Sequence, residues 1–392
     1  MNFLLKKIRS TCSPHSLFVG YGTVGILLFL YSFTQVDLGL TLTQLSLWQT
    51  IQQGFQHIGF FERSLSSGLY IGIIIGLFVS YSAVLKNIRD HQISDRSLWA
   101  LIFLVFFLLV FSYPAFSYDF FNYMFTAKTV LLYHKNPYEV IPLQFTGYES
   151  WLSFMHWTHL PSAYAPLWIV FTLFPYFFGF GYFLWILWNL KLFVGLFYIG
   201  GAWVIARLLR HESEEDRLYG IALYAFNPLI LIETLISGHN DIVMVFFALI
   251  AIMFLQKKNM IVSFFWLSVS IALKEITFML FPLYIFRKNR YLPVILMGLG
   301  LIAFLLIFKR EILPWYGVWV IPFAAIMPRV KKFLPLLFGF SLGLLLYYIP
   351  FLYCGHWDEP VGVIKFWLTL TPMILACIFS IGSYMLSFQK KV

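Results

Sequence analysis

Apolar runs of about bilayer length, divided by short polar breaks, fill the chain from end to end. A crossing takes roughly 20 apolar residues, fewer where other helices surround it. On that pattern, crossings are predicted near 17–36, 68–85, 98–116, 182–206, 218–236, 241–256, 260–273, 276–286, 291–308, 314–328, 333–352 and 361–386. The reading is an all-α, polytopic transmembrane helix bundle of about 12 spans, one integral membrane domain over 1–392 with no internal repeat or linker. The pair 260–273 and 276–286 is short, because Lys274-Glu275 interrupts what would otherwise be one long run. Segment 161–178 is apolar enough to cross, yet Pro161, Pro166 and Pro175 interrupt it. Proline breaks helices, which favours an interfacial or re-entrant path for this segment.

Charge gives the pattern an orientation. Lys and Arg collect in cytoplasmic loops. With the N-terminus inside, the inner loops hold Lys6, Lys7, Arg9, Lys86, Arg89, Arg96, Arg207, Arg210, Arg217, Lys257, Lys258, Arg287, Lys288, Arg290, Arg329, Lys331, Lys332, Lys390 and Lys391. Both termini are then cytoplasmic at a plasma or inner membrane, and the basic start followed by an apolar run from Leu17 reads as a retained first span. A crossing at 161–178 would invert every later loop. Two long outer stretches follow from this topology. In 37–67, Leu42, Leu45, Leu47, Trp48, Ile51 and Phe55 recur at helical spacing, which suits an interfacial helix. The other, 117–160, is an outer loop with juxtamembrane helices. There, 120–132 reads as an amphipathic helix lying on the membrane and ended by Asn136-Pro137.

Composition closes off the soluble alternatives. Of 392 residues, 60% are apolar and 11% charged, whereas a soluble domain carries roughly 25% charge. Mean hydropathy is +0.81. Aromatics make up 21%, in keeping with Trp and Tyr at headgroup level. A net charge of +10 does not indicate nucleic acid here, because the basic residues sit in clusters between apolar runs. Cys12, Cys354 and Cys377 form no paired or metal-binding spacing. No phosphate-cradling Gly loop, His-Glu-x-x-His or Cys-x-x-Cys occurs.

Polar groups near lipid are costly and mark sites, and four stand out. Asp119, in Ser117-Tyr118-Asp119, follows an apolar span. A carboxylate there can take a proton from a hydroxyl or hold a metal; equally, it can mark the membrane boundary. Lys128, His134 and Lys135 can bind phosphate or anchor the loop to headgroups. Ser237-Gly238-His239-Asn240-Asp241 fills a tight turn one helical turn after Glu233; Gly238 and Asn240 suit the turn itself, whereas His239 and Asp241 need another reason. Lys309 and Arg310 lie where the charge rule disfavours cations. A phosphate partner explains them, as does pairing with Glu311 and snorkelling.

In this order the groups resemble the GT-C superfamily of membrane glycosyltransferases, and within it the bacterial polyprenol-phosphate-mannose-dependent alpha-1,6-mannosyltransferases. The similarity runs from 112 to 330. It rests on Ser117, Asp119 and Tyr123; Asn136-Pro137-Tyr138; Ser162, Tyr164, Pro166, Leu167 and Trp168; Asn227-Pro228-Leu229 leading to Gly238–Asp241; Lys274; and Pro314, Trp315, Tyr316 and Trp319. Two departures are Ala165, where the family has Gly, and Asp119 without a neighbouring acid, which leaves a divalent metal without the paired carboxylates to hold it.

The resemblance implies an inverting transfer on the extracytoplasmic side. A hexose, mannose by the family, passes from a polyprenyl-phosphate sugar to a glycan or glycolipid acceptor, with membrane lipid around the enzyme and no nucleic acid. Asp119 is the base. Lys274, Lys309, Arg310 and His239 hold the departing phosphate, where charge develops. Asn240 and Asp241 orient the sugar or His239, and Tyr123 belongs to the same sugar side. Trp168, Trp315 and Tyr316 stack on a sugar or sit in the aromatic belt. The rival is a multi-span transporter or flippase, which calls for broken helices paired across two repeats and charges at mid-membrane. No internal repeat is found, and the acids mid-span are limited to Glu233 and the Lys274-Glu275 pair.

Overall fold

The computed structural model describes residues 14–40, 44–287, 289–327 and 330–389. The predicted topology markers Lys6, Lys7, Arg9, Lys288, Arg329, Lys390 and Lys391, with Cys12 and Leu42, lie outside the described residues. Among the described residues there are 16 helices and no strand. In order they begin with α1 (Pro14–Ser32), α2 (Ser46–Phe60), α3 (Arg63–Arg89), α4 (Asp95–Leu109) and α5 (Asp119–Leu131). Next come α6 (Pro166–Phe177), α7 (Phe183–Leu208), α8 (Glu214–Ala225), α9 (Pro228–Ile236), α10 (Asp241–Gln256) and α11 (Met260–Leu273). A 3₁₀ segment, Glu275–Tyr284, precedes α12 (Leu292–Ile307). The chain ends with α13 (Ile321–Ala325), α14 (Leu334–Leu346), α15 (Ile349–Cys354) and α16 (Val361–Gln389).

Among the described residues, five stretches are long and apolar enough to cross a membrane: His15–Gln35, Arg63–Arg89, Phe183–Leu208, Val330–Cys354 and Val361–Ser383. A sixth is added if α8 and α9, which meet at a 44° bend, are taken as one span. The other apolar helices, α6, α10, α11, the 3₁₀ segment and α12, are shorter. In the segment 314–328, Pro314 and Pro322 open two short pieces, a 3₁₀ turn, Pro314–Trp319, and the five-residue α13, in place of one continuous helix.

Proline chemistry also explains the bend. Asn227 Oδ1 accepts from the amides of Leu229 (3.0 Å) and Ile230 (3.4 Å), and Pro228 opens α9 without needing a donor. This is an N-cap with proline in the first turn, so the Asn-Pro-Leu motif is a helix start. Beyond it, Leu231–Ile236 winds as a π-helix, a form that recurs at functional sites.

The Lys274-Glu275 break makes a hairpin. Ser263 Oγ meets Tyr284 OH at 2.8 Å across its open end, so α11 and the 3₁₀ segment run antiparallel with Lys274 at the tip. α11 in turn lies back along α10, with Ser270 Oγ donating to the Met244 carbonyl at 2.8 Å and Ser263 Oγ to that of Ala251 at 2.7 Å. The tip therefore returns to the first turn of α10, where Asp241 stands.

Helix α6 lies within the segment 161–178. It has 12 residues, about 18 Å at 1.5 Å per residue, against a hydrocarbon layer of about 30 Å. Asn189 Nδ2 of α7 donates to the Pro175 carbonyl at 3.4 Å, so the end of α6 lies beside the start of α7. Helix α2 forms where a helix is expected in 37–67. Its polar Gln52 and Gln56 face the protein, where Gln56 donates to the Asp37 carbonyl at 2.8 Å, while Leu47, Trp48 and Ile51 are exposed. Helix α5 forms where expected, but it does not lie on the surface: Phe120 to Ala127 are buried. The loop 142–154 and α6 cover it, as Phe125 against Phe145 and Tyr123 against Trp168 show.

Candidate active site

Three chain breaks converge on one cavity of about 790 Å³: the start of α5, the turn between α9 and α10, and the hairpin tip. Asp119 opens α5, where an acid suits the positive end of the helix dipole. Its amide donates to Ser117 Oγ at 3.3 Å, which accounts for the serine two residues earlier. Tyr164 OH donates to Asp119 Oδ1 at 3.2 Å. Burial raises the Asp119 carboxyl above the usual carboxylate range, with Lys274 pulling it back down. The Asn-Pro-Tyr motif supports the rim: Tyr138 OH donates to the Tyr164 carbonyl at 2.6 Å, and the Ser162 amide to that of Pro137 at 2.9 Å.

The turn before α10 is fixed by its glycine. Gly238 has φ +72°, a left-handed conformation that suits glycine. A Cβ there would also sit 2.5 Å from the Phe120 ring, beside Asp119. Asp241 is buried at the first turn of α10. Its Oδ1 takes Lys274 Nζ at 2.6 Å and also accepts from Trp319 Nε1. Its Oδ2 is buried with no hydrogen-bond partner. Leaving such an atom unpaired costs about 1–3 kcal/mol, more for a charge.

Behind the turn, His239 stacks on Trp315 with ring centres 4.5 Å apart. His239 Nε2 lies 3.3 Å from Glu233 Oε2, and neither atom has a hydrogen bond. Glu233 Oε1 accepts from Tyr348 OH at 2.9 Å. Burial pushes the His239 imidazole down to about 4. That direction favours the neutral imidazole at neutral pH.

Most of the predicted residues meet here. Asp119, Tyr123, His239, Asn240, Asp241, Lys274, Trp315 and Tyr316 all line the cavity. Lys309 and Arg310 do not. They are exposed just past Phe308, which does line it, and Glu311 pairs with Lys365 of α16 at 2.5 Å, so the pairing with Glu311 foreseen for these two cations is taken up elsewhere. Trp168 is fully buried, edge-on to Tyr123 at 5.1 Å, and serves neither as a sugar platform nor in an interfacial belt. Lys128 pairs with buried Glu149 at 2.7 Å and lies 4.0 Å over the Trp151 ring, which holds the loop together.

Sequence reasoning missed Lys191. It is buried inside α7, and its Nζ donates to the carbonyls of Leu235 and Ile236 (2.7 Å for the latter) and to Ser112 Oγ at 3.2 Å. These carbonyls end the π-helix, where a cation complements the dipole. Lys191 thus braces the turn that carries His239 and Asp241.

A model of the alpha-(1->6)-mannopyranosyltransferase family, N-terminal domain, matches residues 19–288, more than half of the chain. The chain belongs to this mannosyltransferase family. Membership makes it a glycosyltransferase of the membrane, and it implies a sugar donor and a glycan acceptor. No curated protein and no solved structure matches it. The matched region contains Asp119, the 238–241 turn and Lys274, and stops before Trp315 and Tyr316. Among the described residues, no group of three or more His, Cys, Asp and Glu is placed to hold a metal ion.

Proposed function

We propose that this mannosyltransferase is of the GT-C type and takes mannose from a polyprenyl-phosphate donor, in an inverting transfer to an acceptor hydroxyl on the extracytoplasmic side. The observation that carries this reading is the two-part character of the cavity. One part is polar: Asp119, Asp241, His239 and Lys274. The other is an apolar slot between Ile276, Phe278 and Met279 of the hairpin and Gly300, Ala303 and Ile307 of α12. A lipid phosphate fits that division, with its chain in the slot and its phosphate near Lys274.

In the step, the acceptor O–H gives its proton to the Asp119 carboxylate, and the oxygen attacks the anomeric carbon. The bond from that carbon to the phosphate oxygen breaks, and its electron pair leaves with the lipid phosphate. Lys274 stabilises the developing charge, with Lys309 and Arg310 drawing the anionic donor in from the rim. The free Asp241 Oδ2 accepts a sugar hydroxyl, Asn240 and neutral His239 orient it, and Trp315 and Tyr316 offer the sugar aromatic faces. A raised carboxyl suits a base working near neutral pH.

The topology goes with this reading: about 12 crossings, both termini cytoplasmic and the cavity outside. Lys257, Lys258, Arg287 and Arg290 lie at or beyond the far ends of the segments that carry the cavity, as the charge rule asks. The test is donor choice. Purified protein with a hydroxyl acceptor is expected to transfer mannose from short-chain polyprenyl-phosphate-mannose and not from a nucleotide-linked mannose. Transfer from the nucleotide donor alone would sink the proposal.

A further inference from the structure

A second cavity, of about 810 Å³, lies at the opposite end of α10 from Asp241. Helix α10 has 16 residues, so the two sites are roughly 24 Å apart along it. The ends of three elements form its walls: Leu208 of α7, Leu255 and Gln256 of α10, and Ile285 and Phe286 just past the hairpin's open end. The cavity is basic. Lys258, Arg287 and Arg290 face a single carboxylate, Glu212, which already binds Arg290. His211 also lines it, with Nε2 accepting from Arg210 Nε at 2.9 Å, which leaves Nδ1 as the donor. Gln256 and Asn289 add amide donors. On the apolar side, Ile285 and Phe286 are 72% and 61% exposed, although they stand beside arginines.

We propose that this cavity binds a phosphate-bearing anion at the membrane surface, through Lys258 and Arg287. Three observations converge on it. Cations exceed carboxylates, so the space favours a negative ligand. Arginine holds phosphate through paired N–H groups. Exposed apolar side chains flank the cations, which suits a headgroup with acyl chains attached; basic pockets between helix ends bind anionic lipid heads in this way. A free phosphate shares the headgroup's chemistry, and the experiment separates the two sources. The ligand braces the open end of the hairpin whose tip carries Lys274. The inference is independent of the proposed donor.

The test uses the full chain in nanodiscs of phosphatidylcholine with or without phosphatidylglycerol, reading retained lipid by native mass spectrometry. Wild type is expected to retain phosphatidylglycerol over phosphatidylcholine by about tenfold. The Lys258→Gln/Arg287→Gln variant, which spares the Arg290–Glu212 pair, loses that preference. A Lys86→Gln/Arg96→Gln control keeps it. In a second arm, inorganic phosphate is added to phosphatidylcholine discs. A rise in thermal midpoint for wild type but not for the variant would assign the site to a soluble phosphate. If neither ligand distinguishes wild type from the variant, the proposal is wrong. Should the double variant fail to fold, Lys258→Gln alone serves, with Lys258→Arg expected to retain binding.

Discussion

Two buried acid–base clusters flank α5, and they differ in one respect: how many of their polar atoms are used up. At its far end, Glu149 accepts from Lys128, from Tyr133 OH at 2.5 Å and from the Trp151 amide at 3.0 Å, and Lys128 also covers the Trp151 ring. Every strong group has its partner. At its start, Asp241 Oδ2, His239 Nε2 and Glu233 Oε2 are buried without hydrogen bonds, and burial raises the Asp119 carboxyl. A saturated cluster holds the fold together. An unsaturated one costs stability and keeps its capacity for a ligand. Sequence alone made both clusters phosphate candidates, and satisfaction of the polar atoms separates them.

The comparison breaks most sharply at Glu149. Replacing it with Ala leaves the partly buried Lys128 unpaired, and is expected to cost about 3 kcal/mol of stability. Transfer per folded molecule should stay near wild type, measured by thermal unfolding beside an activity assay on the folded fraction. At Asp241 the pattern reverses. Asp241→Asn is expected to lower transfer about a hundredfold, the scale of a charged hydrogen bond, with a smaller change in thermal midpoint; equal losses in both would return Asp241 to the structural class. Gly300→Leu probes the slot, since even a Cβ there would meet Met279 Cγ at 2.8 Å. KM for long-chain donors should rise about tenfold more than for short-chain ones, and a uniform rise would move the lipid chain elsewhere. Smallest is the effect of Lys274→Gln on pH dependence. The base form of Asp119 is deprotonated, so rate falls as pH drops through its raised pKa. Lys274 lowers that pKa, so its loss should move the acid limb of kcat/KM upward. A limb that stays or moves down would mean another group is the base.

Much of the site was legible in sequence because charge stands out against an apolar background. Asp119, the 238–241 turn and Lys274 were found that way, and all line the cavity. The Lys274-Glu275 break correctly foretold two short segments, since an uninterrupted helix would bury both charges in lipid. What escaped depended on partners that only the tertiary fold provides. Lys191 has no acid within reach in sequence; its partners are backbone carbonyls at the end of a π-helix more than 40 residues away. Arg310 looked paired with its neighbour Glu311, but Lys365 takes that acid from a distant helix. Trp168 carried an aromatic signature, yet it is walled in. Pro314 and Pro322 divide the expected 314–328 helix into short pieces, because hydropathy counts apolar residues and is blind to a missing amide.

One measurement bears most directly on the central claim that the unsaturated cluster performs the transfer with Asp119 as base. It is single-turnover transfer from polyprenyl-phosphate-mannose, wild type beside Asp119→Asn, with anomeric configuration read on the product and thermal midpoint read on both proteins. The account predicts an inverted linkage from wild type and a rate about 10²–10⁴-fold lower in the variant, at an unchanged midpoint. Wild-type rates from Asp119→Asn, or a retained linkage from either protein, would contradict it.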